Sequence, residues 1–496
     1  MAKTKKLDAN GYRKFGMLDK LTYAAGDFGC NMSFALKGTI NTFWLVFMHM
    51  ESELFAALLL IVQVWDAIND PLIGSMIDAD TRKYKMGKFK TYIYIGSIGL
   101  LVAGSLCFIP LPNASTVVKC IIFLLGYVIW DAFYTVANVP YGAMLSLITT
   151  DGGERAELST WRSIGSMIGN IVPMVILPML IWKDKVDEAG NVIMNPETNK
   201  PEQELMGTTV FFVALLMGVL GFIAFQFMIR KSEIRVSESA VKVNENQQKF
   251  NVIKAFANFM RNRAAVGATL AAMGMFLGTN SASTATQIMF AIYFGEAEFS
   301  GLVTAIGFIP MVLFIPFIKK IVNKMGKKEA SVVGTIVSLA GAGLMFLFPV
   351  VPKSAALIVY ILAFIVFGLG MGVYTCVSWS LMADAIDYNE WKTGSREEGT
   401  VYSLHSFFRK LAQGVGPSAV IMIMGWLGYN SKIDINEQTA QTAENMCWLV
   451  AGLYLFSAVM QFVGIALIYN LDKKTLAKMN EELDARHAAE IAVSDN

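Results

Sequence analysis

Apolar residues in this chain run in blocks of about 20 to 30, the length that carries a helix across a hydrocarbon core of ~30 Å. Residues 116–128 continue through Trp130 to Ala137, and 208–229, 330–351 and 355–380 are further examples. In lipid a lone segment must satisfy its backbone polar groups internally, so such blocks read as helices. A water-soluble globule has no use for them. Of 496 residues, 55% are hydrophobic and 16% charged, against roughly 25% charged in an ordinary soluble domain. The net charge of +2 supplies no field for nucleic acid. Cys30, Cys107, Cys120, Cys376 and Cys447 are scattered without metal-ligand spacing and read as small core residues. The first twenty residues are basic and polar, with no cleavable signal pattern.

The pattern predicts an all-α membrane protein with twelve spans. They lie near residues 21–48, 54–77, 91–112, 116–146, 158–182, 207–229, 264–294, 300–318, 330–350, 355–386, 399–428 and 446–470. Alternate loops and the two tails carry 31 Lys and Arg residues. The opposite side has only Lys183, Lys185, Lys200, Lys353 and Lys432. The positive-inside rule therefore predicts that both termini are cytoplasmic.

A basic segment, 230–263, divides the chain into a six-helix half at 1–229 and another at 264–470, with a cytoplasmic tail at 471–496. Lys85-Met86-Gly87-Lys88 follows the second span and Lys324-Met325-Gly326-Lys327 the eighth. The same tetrapeptide at the equivalent place in each half points to a duplicated unit, a plan that puts a substrate at the midplane.

Acids inside a span cost about 2.5–3.5 kcal/mol each on insertion scales, so they need a reason. Asp66, Asn69 and Asp70 stand at i, i+3 and i+4 and share one helix face. Two carboxylates so close repel, and at least one should take a proton or hold a cation. Oxygen ligands suit a hard cation such as sodium; a structural polar cluster is the alternative. In span four, Asp131, Thr135 and Asn138 form one polar stripe, and Pro140 frees a carbonyl one turn earlier. Counting down from the outer end at 1.5 Å per residue puts Lys37 at ~17 Å, Asp66 at ~18 Å and Asp131 at ~22 Å. Asp70 falls at ~24 Å, Asn31 at ~26 Å, Thr135 at ~29 Å and Asn138 at ~33 Å. These polar residues therefore converge on one mid-to-inner level.

The run from Trp65 to Pro71, Trp-Asp-Ala-Ile-Asn-Asp-Pro, resembles the glycoside–pentoside–hexuronide:cation symporters of the major facilitator superfamily. Gly26–Gly29, Arg82–Phe89, Asn138–Gly142 with Asp151 and Arg155, and Ala383–Lys392 with Glu398-Gly399 agree with it. The resemblance covers nearly the whole chain. It implies the twelve-helix major facilitator fold and symport of a sugar or glycoside with Na+ or H+. It places the cation on Asp66, Asn69, Asp70 and Thr135. It places the sugar against Asn31, Asn138, Arg162, Trp379 and Lys410. The family's reference pattern has carboxylates where this chain has Asn31 and Asn138. An amide accepts sugar hydroxyls more weakly than a carboxylate does, so the substrate preference should differ.

Other residues keep two readings. Arg162 either contacts sugar or snorkels to headgroups. Arg409 and Lys410 are adjacent and face different directions; the matched position favours Lys410. His405 reads as a polar cavity residue ahead of a proton relay. Asp384, Asp387 and Glu390 read as a cytoplasmic gate network with Arg155 and the basic loops. Lys37, too deep to snorkel, should have a buried partner, and Asp131 is the expected one; an acidic substrate or proximity to Asp66 are its rivals.

The expected protein is thus a secondary transporter in the cell's inner membrane, monomeric, with a sugar or glycoside, a coupling cation and the lipid bilayer as partners and no resident cofactor. A same-fold carrier of a lysolipid or an acidic sugar is the nearest alternative. A membrane-embedded enzyme is disfavoured, since His49, His405 and His487 lie on separate segments without a metal or nucleophile motif.

Overall fold

The computed structural model describes residues 12–149, 152–195, 200–235, 252–394 and 398–494. Inside those ranges the side chains of Asp70 and Arg155 are not among the described ones. The first half holds α1 (Met17–Phe34), α2 (Leu36–Thr42), α3 (Ser52–Ala79), α4 (Lys88–Leu106), α5 (Thr116–Ile148), α6 (Gly152–Ile181) and α7 (Gly207–Lys231). The second holds α8 (Val252–Arg261), α9 (Arg263–Phe276), α10 (Ala282–Met289), α11 (Ser300–Met325), α12 (Lys327–Met345), α13 (Lys353–Thr393), α14 (Glu398–Trp426), α15 (Ala440–Phe462) and α16 (Lys473–Ser494).

Each expected span falls on helix. Among the described residues, six helical segments, in α4, α5, α6, α7, α13 and α15 with its continuation, are long and apolar enough to cross a membrane. The first and seventh spans are interrupted: a π-helical turn at Phe43–Phe47 follows α2, and Leu277–Ser281 and Phe290–Phe294 flank α10. Starts are set by short polar residues that satisfy otherwise orphaned N–H groups. Asn262 Oδ1 accepts from Ala265 N at 2.9 Å to open α9, and Thr439 Oγ1 accepts from Thr442 N at 3.1 Å to open α15.

The outward stripe of α3 shows what surrounds it. Ile61, Val64, Ile68, Leu72 and Met76 recur at helical spacing and are all exposed, whereas Asn69 on the other face is 1% exposed. An apolar stripe facing out with a polar face turned in is a soluble helix inverted, and it suits a lipid solvent.

The repeated tetrapeptide has one conformation in both places. Gly87 (φ 86°, ψ 157°) immediately precedes α4, and Gly326 (φ 105°, ψ 158°) immediately precedes α12. Positive φ is a region only glycine occupies freely, so the repeat encodes the same turn into the next helix.

By compactness the chain divides into two units. Unit 1 comprises residues 1–246, 296–301 and 430–437; unit 2 comprises 247–295, 302–429 and 438–496. Unit 1 carries four short strands outside the sequence expectation: β1 (Trp182–Asp184), β2 (Met194–Asn195), β3 (Lys200–Pro201) and β4 (Gln203–Leu205). β1 pairs antiparallel with β4, and β2 with β3. A turn at Asp187–Asn191 closes the outer part. Asp187 Oδ1 accepts from Ala189 N and Asn191 N there, and Gly190 has φ 84°. Lys185 donates to Asp434 at 2.8 Å, Lys200 pairs with Glu296, and Asn436 donates to the Gln203 carbonyl at 2.9 Å.

In unit 2, α13 has 41 residues, about 62 Å at 1.5 Å per residue, twice a hydrocarbon core. Its far end is not left bare. The tail expected at 471–496 forms α16, whose Met479 and Leu483 are buried, and Trp391 Nε1 donates to Glu482 at 2.6 Å.

Candidate functional site

Unit 1 contains two polar nodes inside its helices. The first joins α1 and α6. Asp27 and Asn31 are one turn apart on α1, and Arg162 and Asn170 two turns apart on α6. Arg162 Nε donates to Asp27 Oδ1 at 2.9 Å, and Asn31 Nδ2 donates to Asp27 Oδ2 at the same distance. Asn170 Nδ2 donates to Asn31 Oδ1 at 2.5 Å. The two helices can approach so closely because Gly165 has no side chain. A Cβ there would lie 2.1 Å from the Ala24 carbonyl oxygen. Tyr141 closes one flank, its ring 5.1 Å from the Arg162 guanidinium carbon and its hydroxyl donating to the Tyr23 carbonyl. Asn138 Oδ1 accepts from the Cys30 thiol at 3.6 Å.

Asn31, Asn138 and Arg162 therefore lie around one node, together with two partners not expected from sequence. Asp27 carried the needed signal, being an acid inside a span one turn from Asn31. Asn170 is the same signal on α6. Arg162, instead of reaching for headgroups, is ion-paired to Asp27, a carboxylate that burial would otherwise penalise.

The second node joins α2, α3 and α5. Asn69 Nδ2 donates to Asp131 Oδ2 at 2.9 Å and to Thr135 Oγ1 at 3.0 Å. All three residues are buried. Asp66, one turn before, accepts from Lys37 Nζ at 3.4 Å. Lys37 thus has as a neighbour the Asp66 that was kept as a rival to Asp131. Lys37 reaches across to α3, and Asp131 is turned to the Asn69 amide. The lysine ammonium is also ringed by Phe34 at 4.9 Å, Trp130 at 5.5 Å and Tyr127 at 5.8 Å. Asp70 lies on α3 one turn beyond Asp66, and its side chain is outside the described set.

Among the described residues of unit 2, a small pocket is lined by Ala272, Met275, Phe276, Ser378, Trp379, His405 and Arg409. Arg409 places its guanidinium carbon 5.3 Å from the Phe276 ring and 5.4 Å from the Trp379 ring. His405 Nδ1 meets Thr269 Oγ1 at 2.8 Å. Trp379 thus has Arg409 as its cationic neighbour. Lys410, the residue favoured by the resemblance, is exposed and does not line this pocket. Successive helical residues diverge by about 100°, so only one of the pair can face it.

Of the expected gate residues, Asp384 accepts from Lys327 Nζ at 2.7 and 2.8 Å through its two oxygens. Lys327 is the last residue of the second tetrapeptide, so the repeat also supplies an ion pair. Asp387 and Glu390 follow on α13, and the Arg155 side chain lies outside the described set.

Helices long and apolar enough to cross a membrane, with charged polar nodes among them, define a multi-pass membrane protein. Its fold is similar to the nucleoside transporter NupG, with a TM-score of 0.57 and 15% identity over 92% of this chain and 100% of that one. The chain belongs to the family described as MFS/sugar transport protein, which it matches over residues 22–473. It is 30% identical to the uncharacterized symporter YjmB of Bacillus subtilis, over 95% of this chain and 96% of that protein. It is 25% identical to the isoprimeverose transporter of Lactiplantibacillus pentosus, covering 96% and 93%. Identity to the glucuronide carrier protein homolog of Escherichia coli is also 25%, covering 94% of each chain. These relatives are transporters, and the fold and family make this chain one as well.

Proposed function

We propose that the protein is a cation-coupled symporter of a sugar or glycoside, working by alternating access in the cell's inner membrane. Twelve crossings put both termini in the cytoplasm, and the protein acts as a monomer. The observation that carries the coupling is the α3–α5 node. Asn69 holds Asp131 and Thr135 together, with Asp66 and Asp70 on the same helix as Asn69. Carboxylate, hydroxyl and amide oxygens are what a small hard cation takes as ligands. A cation that binds there and favours sugar binding is favoured by sugar in turn, because coupling free energies are reciprocal. Asn31, Asn138 and Arg162 on the first node supply hydrogen-bond partners for sugar hydroxyls.

A second reading, an acidic sugar as substrate, is favoured by the Arg409–Trp379 pocket, since a guanidinium held over two rings presents a rigid fork to a carboxylate. The name of the glucuronide carrier relative is in line with it. Counterflow into proteoliposomes decides between them. Labelled xyloside, glucoside, galactoside and glucuronide are each tested, with Asn138→Asp and Arg409→Gln beside the wild type. A neutral glycoside exchanged in an Arg409-independent way supports the first reading. Exchange of glucuronide alone, lost in Arg409→Gln, supports the second. No exchange of any of the four refutes both.

A further inference from the structure

We infer that Lys37 is the resident counter-cation of Asp66 and lowers the affinity of the neighbouring acid site for sodium. The inference rests on the proposed cation site and adds a residue that sets its ion preference. Four observations carry it. The Lys37 ammonium lies 3.4 Å from Asp66 Oδ2, where an external cation would have to sit to use that oxygen. Three aromatic rings hold the ammonium in place at 4.9 to 5.8 Å, each an attractive cation–π contact. Those rings are themselves fixed: Trp130 Nε1 donates to Ser33 Oγ at 2.6 Å, and the Tyr127 hydroxyl accepts from Gln63 at 3.2 Å. Finally, Asp131 and Thr135 each accept from the Asn69 amide, so Asp131 has a hydrogen-bond donor of its own, while Asp66 accepts from Lys37.

A mobile counter-ion would step aside for sodium. This one is caged. Sodium entering the node meets a fixed positive charge about one ion diameter from the Asp66 carboxylate, and like charges that close repel strongly in any medium less polar than water. With Lys37 in place, Asp66 is therefore spent as a sodium ligand. Asp66 is partly open to solvent, with 24% of its side chain accessible, so removing the lysine exposes a carboxylate that water can still reach.

The test uses the full-length protein and sodium itself as the probe, so it does not depend on knowing the sugar. Purified wild type, Lys37→Met, Lys37→Gln, Lys37→Arg, Asp66→Asn and Lys37→Met/Asp66→Asn are titrated with NaCl against choline chloride at constant ionic strength. The readouts are tryptophan fluorescence, to which Trp130 beside Lys37 contributes, and the thermal unfolding midpoint, which rises when an ion binds the folded state. The expected result is a sodium dissociation constant at least tenfold lower in Lys37→Met or Lys37→Gln than in wild type. Lys37→Arg should stay at the wild-type value, and Asp66→Asn should erase the gain in the double variant. Equal sodium affinity in wild type and Lys37→Met overturns the inference while leaving the cation site standing. The wild type alone also suffices to overturn it, if its sodium response is saturable and Asp66→Asn abolishes it. No sodium response in any variant overturns both the inference and the cation site. Loss of glucuronide exchange in Lys37→Met with no change in sodium affinity overturns it in favour of a substrate contact.

Discussion

Replacing Asn69 by Ala removes two hydrogen bonds at once from a place where water cannot substitute. One goes to the Asp131 carboxylate at 2.9 Å and one to the Thr135 hydroxyl at 3.0 Å, with all three residues about 1% exposed. A hydrogen bond to a charged group contributes about 1.5–3 kcal/mol and one between neutral groups about 0.5–1.5. Asn69→Ala should therefore destabilise the protein by about 2–4.5 kcal/mol. Gln63→Ala is the comparison: it deletes one neutral bond to Tyr127 at 3.2 Å in a part-buried place, for a loss of about 0.5–1.5 kcal/mol. Equilibrium unfolding in mixed micelles, followed by tryptophan fluorescence, measures both. An Asn69→Ala loss below 1 kcal/mol, or one no greater than that of Gln63→Ala, would refute the claim that Asn69 is the tie between α3 and α5.

Other outcomes follow from single positions. Gly326→Ala should cost about 1–2 kcal/mol, because a side chain is strained at positive φ, and a Cβ there would crowd the Lys473 Cβ at 2.9 Å. Gly343→Ala in α12, the helix that Gly326 precedes, where a Cβ meets nothing within 4 Å, should be neutral or stabilise by up to about 1 kcal/mol. Unfolding midpoints compare the two. Asp80 is held at a pKa of about 2 by hydrogen bonds from Tyr84 and Tyr92 and from the Arg82 N–H. Its contribution is present above its unfolded pKa of 3.8 and lost as pH falls through about 2. Melts of Asp80→Asn should lie below wild type by a constant amount from pH 5 to 8, with the gap closing between pH 4 and 2. A gap as large at pH 2 as at pH 6 contradicts the assignment.

The helices were legible because each apolar block is long enough to leave no other form in lipid. The paired tetrapeptide was legible as a repeat, and its glycine, with positive φ in both copies, explains why that sequence recurs. The interruptions in the first and seventh spans were not legible, since a π-turn changes which carbonyl a residue bonds without changing its polarity. The strands near Trp182 and Leu205 hid in a loop of mixed charge, though Gly190 and Asn191 marked a turn. Depth along the helix puts Lys37 within about 1 Å of Asp66 and about 5 Å of Asp131. The choice between Arg409 and Lys410 needed the helix's rotation about its axis, which neither composition nor depth supplies. Asp27 was recognisable by the rule that singled out Asp66, an acid with no reason to be in lipid.

The central claim is that sugar moves with a cation. Purified protein in potassium-loaded proteoliposomes is given valinomycin to set the interior negative, and uptake is followed for the labelled sugar that exchanges best in counterflow. One charge moving inward across 100 mV supplies about 2.3 kcal/mol, enough for about 50-fold accumulation at full coupling. The account predicts accumulation well above the outside concentration, abolished when the potential is collapsed and lost in Asp131→Asn. Uptake that stops at equal concentrations inside and out, whatever the potential, would contradict it.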